Sequence, residues 1–198
     1  MIIKKCSYLM VILLLFFNTF VKADDIKDFE IEGMSIGDSA LDFFKEDKLL
    51  ERKKKGFVYP KDNFYSATIH QDPKFQLYHN VQLHIKKNDN NYIIYSIGGQ
   101  IEFPNDINSC YKELEKITLQ FKNDFDYTNF YDSGIVDHVD KISGTVRSVY
   151  ITLTKKNEIV IECYDYNKTT QEKKGHVDML NIALDSSEFS QWLREVYK

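Results

Sequence analysis

The chain has 198 residues, 43% of them hydrophobic, and a formal charge of −4. That is one domain's worth of residues, with enough apolar side chains for a sizeable core. The acidic balance excludes nucleic acid as a partner, since displacing phosphate counterions takes Lys/Arg patches.

Lys4 and Lys5 precede an apolar run from Tyr8 to Phe17, and Val21-Lys22-Ala23 resembles a cleavage site. This order predicts a signal peptide over residues 1–23, cleaved after Ala23, and a periplasmic or secreted single domain over 24–198. The run is too short for a bilayer-spanning helix, which needs about 20 apolar residues. No later stretch approaches that length, so no transmembrane segment is expected in the mature chain. Losing Lys4, Lys5 and Lys22, with no acid, takes the charge from −4 to −7. Lysine outnumbers arginine 23 to 3, a bias of AT-rich genomes that points to a bacterial source.

Ser39, with Asp42 three residues on, makes a capping-box pattern. Leu41, Phe44, Leu49 and Leu50 then predict a helix from Ser39 to Lys53-Lys54-Lys55, with a break near Glu46 and Gly56 as the stop. The lysine run reads as a solvated helix end opposing the dipole. Phe64 to His70 reads as a strand. Phe75, Leu77, His79, Val81, Leu83 and Ile85 alternate with polar residues, which predicts a long strand with one wet face. Asn88-Asp89-Asn90-Asn91 turns it into a return strand whose apolar set is Ile93, Tyr95, Ile97, Ile101 and Phe103. Gly98-Gly99 marks a bulge or a close backbone approach.

Asp106 opens the best helix, with Ile107, Cys110, Tyr111, Leu114, Ile117, Phe121 and Phe125 at helical spacing. Residues 126–144 read as a long loop. Val149, Ile151 and Leu153 pair across Lys155-Lys156-Asn157 with Ile159, Ile161 and Cys163 in a second hairpin. His176 to Leu184 reads as a sixth strand. Asp185 to Glu188 caps a last helix striped by Phe189, Trp192, Leu193 and Val196. The expected fold is α+β: an antiparallel sheet of about six strands with helices packed on it, in the order α-βββ-α-βββ-α. The doubled order hints at duplication, without a residue-level repeat.

Cys6 leaves with the leader, and Cys110 and Cys163 both point inward on neighbouring elements. In an oxidising compartment that predicts one disulfide. Asn167-Lys168-Thr169 matches a glycosylation sequon by chance.

The chemistry-bearing residues are sparse. His79 and His84 stand an odd number apart and face opposite sides of a strand, so they cannot chelate one ion from it. No zinc or calcium spacing occurs. The densest candidate group is in the long loop: Tyr127, Tyr131, Asp132, Asp137, His138 and Asp140. Tyr78, Tyr92 and Tyr95 in the first hairpin suit either a recognition surface or cross-strand packing. No catalytic residue, metal or cofactor is expected. The expected role is a non-enzymatic binding or envelope-interaction protein whose partner is a protein or small ligand of the envelope.

Gly37-Asp38-Ser39-Ala40-Leu41 resembles the Gly-Asp-Ser-(Leu) block of the SGNH hydrolases, which would make Ser39 a nucleophile and the chain a secreted serine hydrolase. The companion Asp-x-x-His and Gly-x-Asn-Asp blocks are missing. Glu30 to Phe44, with Gly33-Met34-Ser35 and Gly37-Asp38-Ser39, looks like the opening of a group of short exported proteins of AT-rich marine alphaproteobacteria. Those usually carry two leucines after the serine, where this chain has Ala40-Leu41. Gly-Met-Ser before a short helix and hairpin is also similar to small periplasmic modules of the outer-membrane assembly lipoprotein type. That likeness implies protein binding, although a lipid-anchor cysteine is lacking.

Overall fold

The computed structural model describes residues 26–197. The expected leader and its cleavage site lie outside them.

The described residues form eleven α-helices and β-strands in chain order. They are α1 (Glu46–Lys55), β1 (Phe64–His70), β2 (Asn80–Lys86), β3 (Ile94–Glu102), α2 (Ile107–Asp124), β4 (Tyr127–Asp137), β5 (Gly144–Leu153), β6 (Glu158–Tyr166), α3 (Lys168–Lys174), β7 (Met179–Asp185) and α4 (Ser187–Val196). All seven strands join one antiparallel sheet in the order β1-β2-β3-β7-β6-β5-β4. The α+β architecture with helices packed on an antiparallel sheet is therefore present.

The expected long loop is largely β4, the seventh strand. Among the described strands it lies at the sheet edge, pairs only with β5, and breaks register at Tyr127/Asn129 and Asp132/Ile135. At the second break Gly134 takes φ +63° and the Ser133 hydroxyl accepts from the Ser148 N–H at 2.9 Å. An edge strand with a bulge buries little and shows no apolar alternation, so its sequence reads as irregular. α3 is a second addition; its N-cap Asn167, the sequon asparagine, accepts from the Thr170 N–H at 3.0 Å.

The first hairpin is shorter than its alternation suggests. Residues 75–79 form a bend before β2, because the Glu32 carboxylate accepts the N–H groups of Gln76, Leu77 and Tyr78 at 2.8–2.9 Å. Leu77 is 63% exposed while Tyr78 is buried, the reverse of the alternation. His79 lies on the surface just ahead of β2. On the return, Tyr95 is the extra residue between the pairs His84↔Ser96 and Ile85↔Ile94, so Ile94 rather than Ile93 enters the core. Gly98-Gly99 is a close approach: a Cβ on Gly99 would lie 2.4 Å from the Tyr78 ring.

The expected first helix is two pieces, a 3-10 turn at Ala40–Asp42 and then α1. Ser39 caps the turn, but its hydroxyl accepts from Leu41 N–H at 3.3 Å and donates to the Asn91 carbonyl at 2.7 Å, rather than closing a box with Asp42. Gly56 ends α1 with φ −74°, and a Cβ there would lie 2.2 Å from the Ser66 carbonyl oxygen. Close approach, not a left-handed turn, demands glycine at that position.

Period two sends Val81, Leu83, Ile97, Leu180, Ile182, Ile161 and Ile151 to one face of the sheet, where α2, α1 and the N-terminal segment cover them. Burying each such side chain contributes roughly 1.5–3 kcal/mol. Cys110 in the first turn of α2 and Cys163 in β6 are joined there by a disulfide, with Cα atoms 6.0 Å apart. On the opposite face α4 lays Phe189 and Trp192 on Phe64, with Tyr59 and Tyr95 alongside. This cluster sits over β1–β3, and α4 reaches β6 through the Arg194–Glu158 pair.

Candidate functional site

The off-phase side chains of the same strands face α4. β7 presents Met179, Asn181, Ala183 and Asp185, β6 presents Glu158, Val160, Glu162 and Tyr164, and β5 presents Tyr150 and Thr152. With His84 of β2, Ser96 of β3, Tyr131 at the rim and Ser190, Leu193 and Arg194 of α4, they enclose a groove of about 700 Å³.

The floor carries a directional chain of hydrogen bonds. The Tyr59 hydroxyl lies 2.7 Å from His84 Nε2, and His84 Nδ1 lies 3.0 Å from the Ser96 hydroxyl. Ser96 in turn bonds the Asp185 carboxyl, its cross-strand partner. Burial against Phe189 removes water from His84 and lowers its pKa to about 3, so the ring is neutral. A neutral ring protonated at Nδ1 donates to Ser96 and accepts from Tyr59, and the Ser96 hydroxyl is left to donate to Asp185. Burial raises Asp185 to about 7, with the Ser96 bond opposing and Glu158 and Glu162 adding to the rise.

Ser96, His84 and Asp185 are the residue types of a nucleophilic triad in the wrong order. A triad needs histidine between serine and acid, so that the ring takes the serine proton. Here serine stands in the middle, the ring's outer nitrogen is engaged by Tyr59, and Ser96 is 1% exposed. The arrangement holds dipoles in line and does not activate a nucleophile.

Beside it, Glu162 accepts from the Ser148 hydroxyl at 2.9 Å, the Tyr164 hydroxyl at 2.8 Å and the Asn181 amide at 3.3 Å. Glu158 accepts from Arg194 at 2.7 Å and Thr152 at 3.4 Å. Two lining atoms remain without a partner among the described residues: Asp185 Oδ1 and the Ser190 hydroxyl, in side chains 6% and 2% exposed. Buried polar atoms are normally satisfied, and one left open costs about 1–3 kcal/mol.

A second cavity of about 870 Å³ continues the groove past Tyr164. Its wall is an aromatic row in which His138 packs 6.0 Å from Tyr164, Tyr164 stacks on Tyr166, and His176 meets Tyr166 at 4.7 Å.

The sequence-level candidates do not converge. Tyr131 packs 6.2 Å from Tyr150 on the groove rim, and His138 lines the second cavity. Tyr127 sits at the start of β4 with Lys122 5.8 Å from its ring. Asp132 turns toward α2, bonds Arg147 at 2.8 Å, and is held below the usual carboxylate range by that guanidinium. Asp137 ends β4, exposed. Asp140 closes the β4–β5 turn by accepting from the Ser143 hydroxyl and the N–H groups of Ile142 and Ser143, which hold it well below its ordinary pKa. His138 Nδ1 is 3.0 Å from its carboxylate. Among the described residues no group of three or more His, Cys, Asp and Glu side chains is placed to hold a metal ion.

Sequence reasoning missed His84, Ser96, Glu162, Asn181 and Asp185. Their signal was the polar set at the off-phase positions of β6 and β7 together with a strongly amphipathic last helix that had to pack somewhere. No family model, characterised protein or solved structure matches the chain.

Proposed function

We propose that the protein is an exported, non-enzymatic binding protein of the bacterial envelope whose site is the groove between α4 and the second sheet face. The observation that carries this reading is the pair of buried, unpartnered polar atoms, Asp185 Oδ1 and Ser190 Oγ, at the floor of an open cavity. A bound ligand supplies the partners they lack. The Cys110–Cys163 bridge agrees with an oxidising compartment, and no described helix is long and apolar enough to cross a membrane. The rival, a serine hydrolase at Ser39, has no support from the local geometry, where that hydroxyl is spent on main-chain groups at both sides.

Thermal-shift screening of residues 24–198 against small-molecule classes tests the reading, with Ala183→Phe as the groove-blocked control. A stabilising class that loses its effect in Ala183→Phe supports it. Equal stabilisation of both proteins moves the site elsewhere, and Ser39-dependent labelling by a fluorophosphonate overturns it in favour of the hydrolase.

A further inference from the structure

We infer that the groove recognises a protonated amine carrying an apolar or aromatic body, with Asp185 as its counter-ion. This deepens the binding reading above and rests on it.

The argument starts from charge. Three carboxylates line the groove, Glu158, Glu162 and Asp185, against one cation, Arg194. Arg194 is taken by Glu158, and Glu162 already accepts three donors. An anionic ligand would meet two acids and find no free cation. What the floor offers is one carboxyl oxygen and one hydroxyl, both dry and both unpartnered among the described residues; with Asp185 ionised, both accept. An ammonium carries three donors and no acceptor, so it supplies both oxygens with a donor.

The surroundings of Asp185 agree from every side. Across from it on β6 stands Glu158, its register partner, with Glu162 beyond. On β3 Ser96 occupies the other carboxyl oxygen, backed by neutral His84 and by Tyr59, which is uncharged at neutral pH. On α4 come Ser190 and the already paired Arg194. Among the described residues no free positive charge faces the group, so a cation entering the groove is the missing neutraliser. At the rim Tyr131 and Tyr150 present rings that suit the cation's approach and the apolar body behind it.

A proton balance follows. Burial keeps Asp185 protonated up to about pH 7. Below that pH an incoming ammonium displaces this proton to solvent, one per ligand, and the bond formed is the charge-assisted N–H to carboxylate contact. Affinity then rises about tenfold per pH unit up to the Asp185 pKa and levels above it. A neutral carbonyl ligand accepting from protonated Asp185 would show the opposite slope.

Isothermal titration of residues 24–198 tests this with three probes that share a phenethyl body: phenethylammonium, 2-phenylethanol and 3-phenylpropionate, each on both sides of neutrality. Phenethylammonium should bind at least about tenfold more tightly than the alcohol, in line with a charge-assisted bond. Its heat should vary with the buffer's ionisation enthalpy, reporting proton release on the acid side. The carboxylate should not bind. Asp185→Asn should lose the ammonium preference while retaining the alcohol, and the pH slope of the unmodified protein gives the same answer without any variant. If the alcohol or the carboxylate binds as tightly as the ammonium, if affinity falls with pH, or if Asp185→Asn keeps full ammonium affinity, the ligand class is wrong and the groove stands. If none of the three binds, the amine proposal falls, and the thermal-shift comparison with Ala183→Phe decides the groove separately.

Discussion

Replacing Asp185 by Asn should make stability climb with pH where that of the unmodified chain stays level. His84 has a folded pKa of about 3 and Asp185 one of about 7, against ordinary values of 6.5 and 3.8. Between about pH 4 and about pH 6.5 the folded pair is neutral ring and neutral acid, and the unfolded pair is imidazolium and carboxylate. Both hold one proton, so the pair adds no slope to the stability curve. Above about 6.5 the unfolded histidine loses its proton, and stability falls by under about 1 kcal/mol before Asp185 ionises. Asparagine removes one member. The unfolded state of Asp185→Asn then binds more protons than the folded state wherever free histidine is charged, and stability rises by about 1.4 kcal/mol per pH unit up to about 6.5. From about pH 5 to about pH 7.5 the variant should gain about 2 kcal/mol relative to itself. Urea melts of both proteins at the two pH values measure it. His176, also lowered by partial burial, is common to both and cancels in the difference. Parallel pH profiles for the two proteins would refute the neutral pair.

The disulfide closes a separation of 53 residues; Cys110→Ala with Cys163→Ala should cost about 2–4 kcal/mol in denaturant melts, and thiol counting on the denatured, unreduced chain should find none free. Gly99→Ala drives a methyl to 2.4 Å from the Tyr78 ring and should destabilise by about 1–3 kcal/mol; in a Tyr78→Ala background most of that penalty should vanish, and a penalty that persists argues against the clash. Ser39→Ala should lose about 0.5–2 kcal/mol. Ser39→Asp should not restore it, because a carboxylate cannot donate to the Asn91 carbonyl that the hydroxyl now reaches; full stability in the aspartate variant would show that the cap alone matters.

Helices α2 and α4 were legible because a stripe and a local cap coincide: Asp106 accepts from Ser109 N–H at 3.2 Å, and Ser186 from Phe189 N–H at 3.2 Å. The β5–β6 hairpin was legible because its apolar set alternates without interruption beneath α2. Where reading failed, a distant group had intervened. Glu32 bends residues 76–78 from more than forty positions away in the chain, and nothing in the alternation there announces it. β4 was hidden because an edge strand needs no apolar phase to be held by one neighbour. The candidate site was half legible. Alternation marks Glu158, Glu162, Asn181 and Asp185 as a polar face, yet only the tertiary placement of α4 turns part of that face into dry ground. Of the loop acids that looked most promising, Asp140 is spent on a turn and Asp132 on Arg147, while Asp137 stays exposed.

The strand order places β7 between two hairpin-rich halves that otherwise share no ladder: β3 pairs with it on one side and β6 on the other. Without residues 179–185 the sheet would part into two three-stranded ladders, each with a bare inner edge. Those edges are what neighbouring copies would pair with. The β6 edge closes over 15–27 residues (Tyr164↔Met179 to Glu158↔Asp185), whereas the β3 edge closes over 77–89 (Glu102↔Met179 to Ser96↔Asp185), and pairing over that distance is the slow kind. The same strand carries Asn181 and Asp185, so the groove comes into being only with that closure. A ligand held there would grip both halves through their shared strand, and its binding energy would add to the stability of the seam rather than to that of either half.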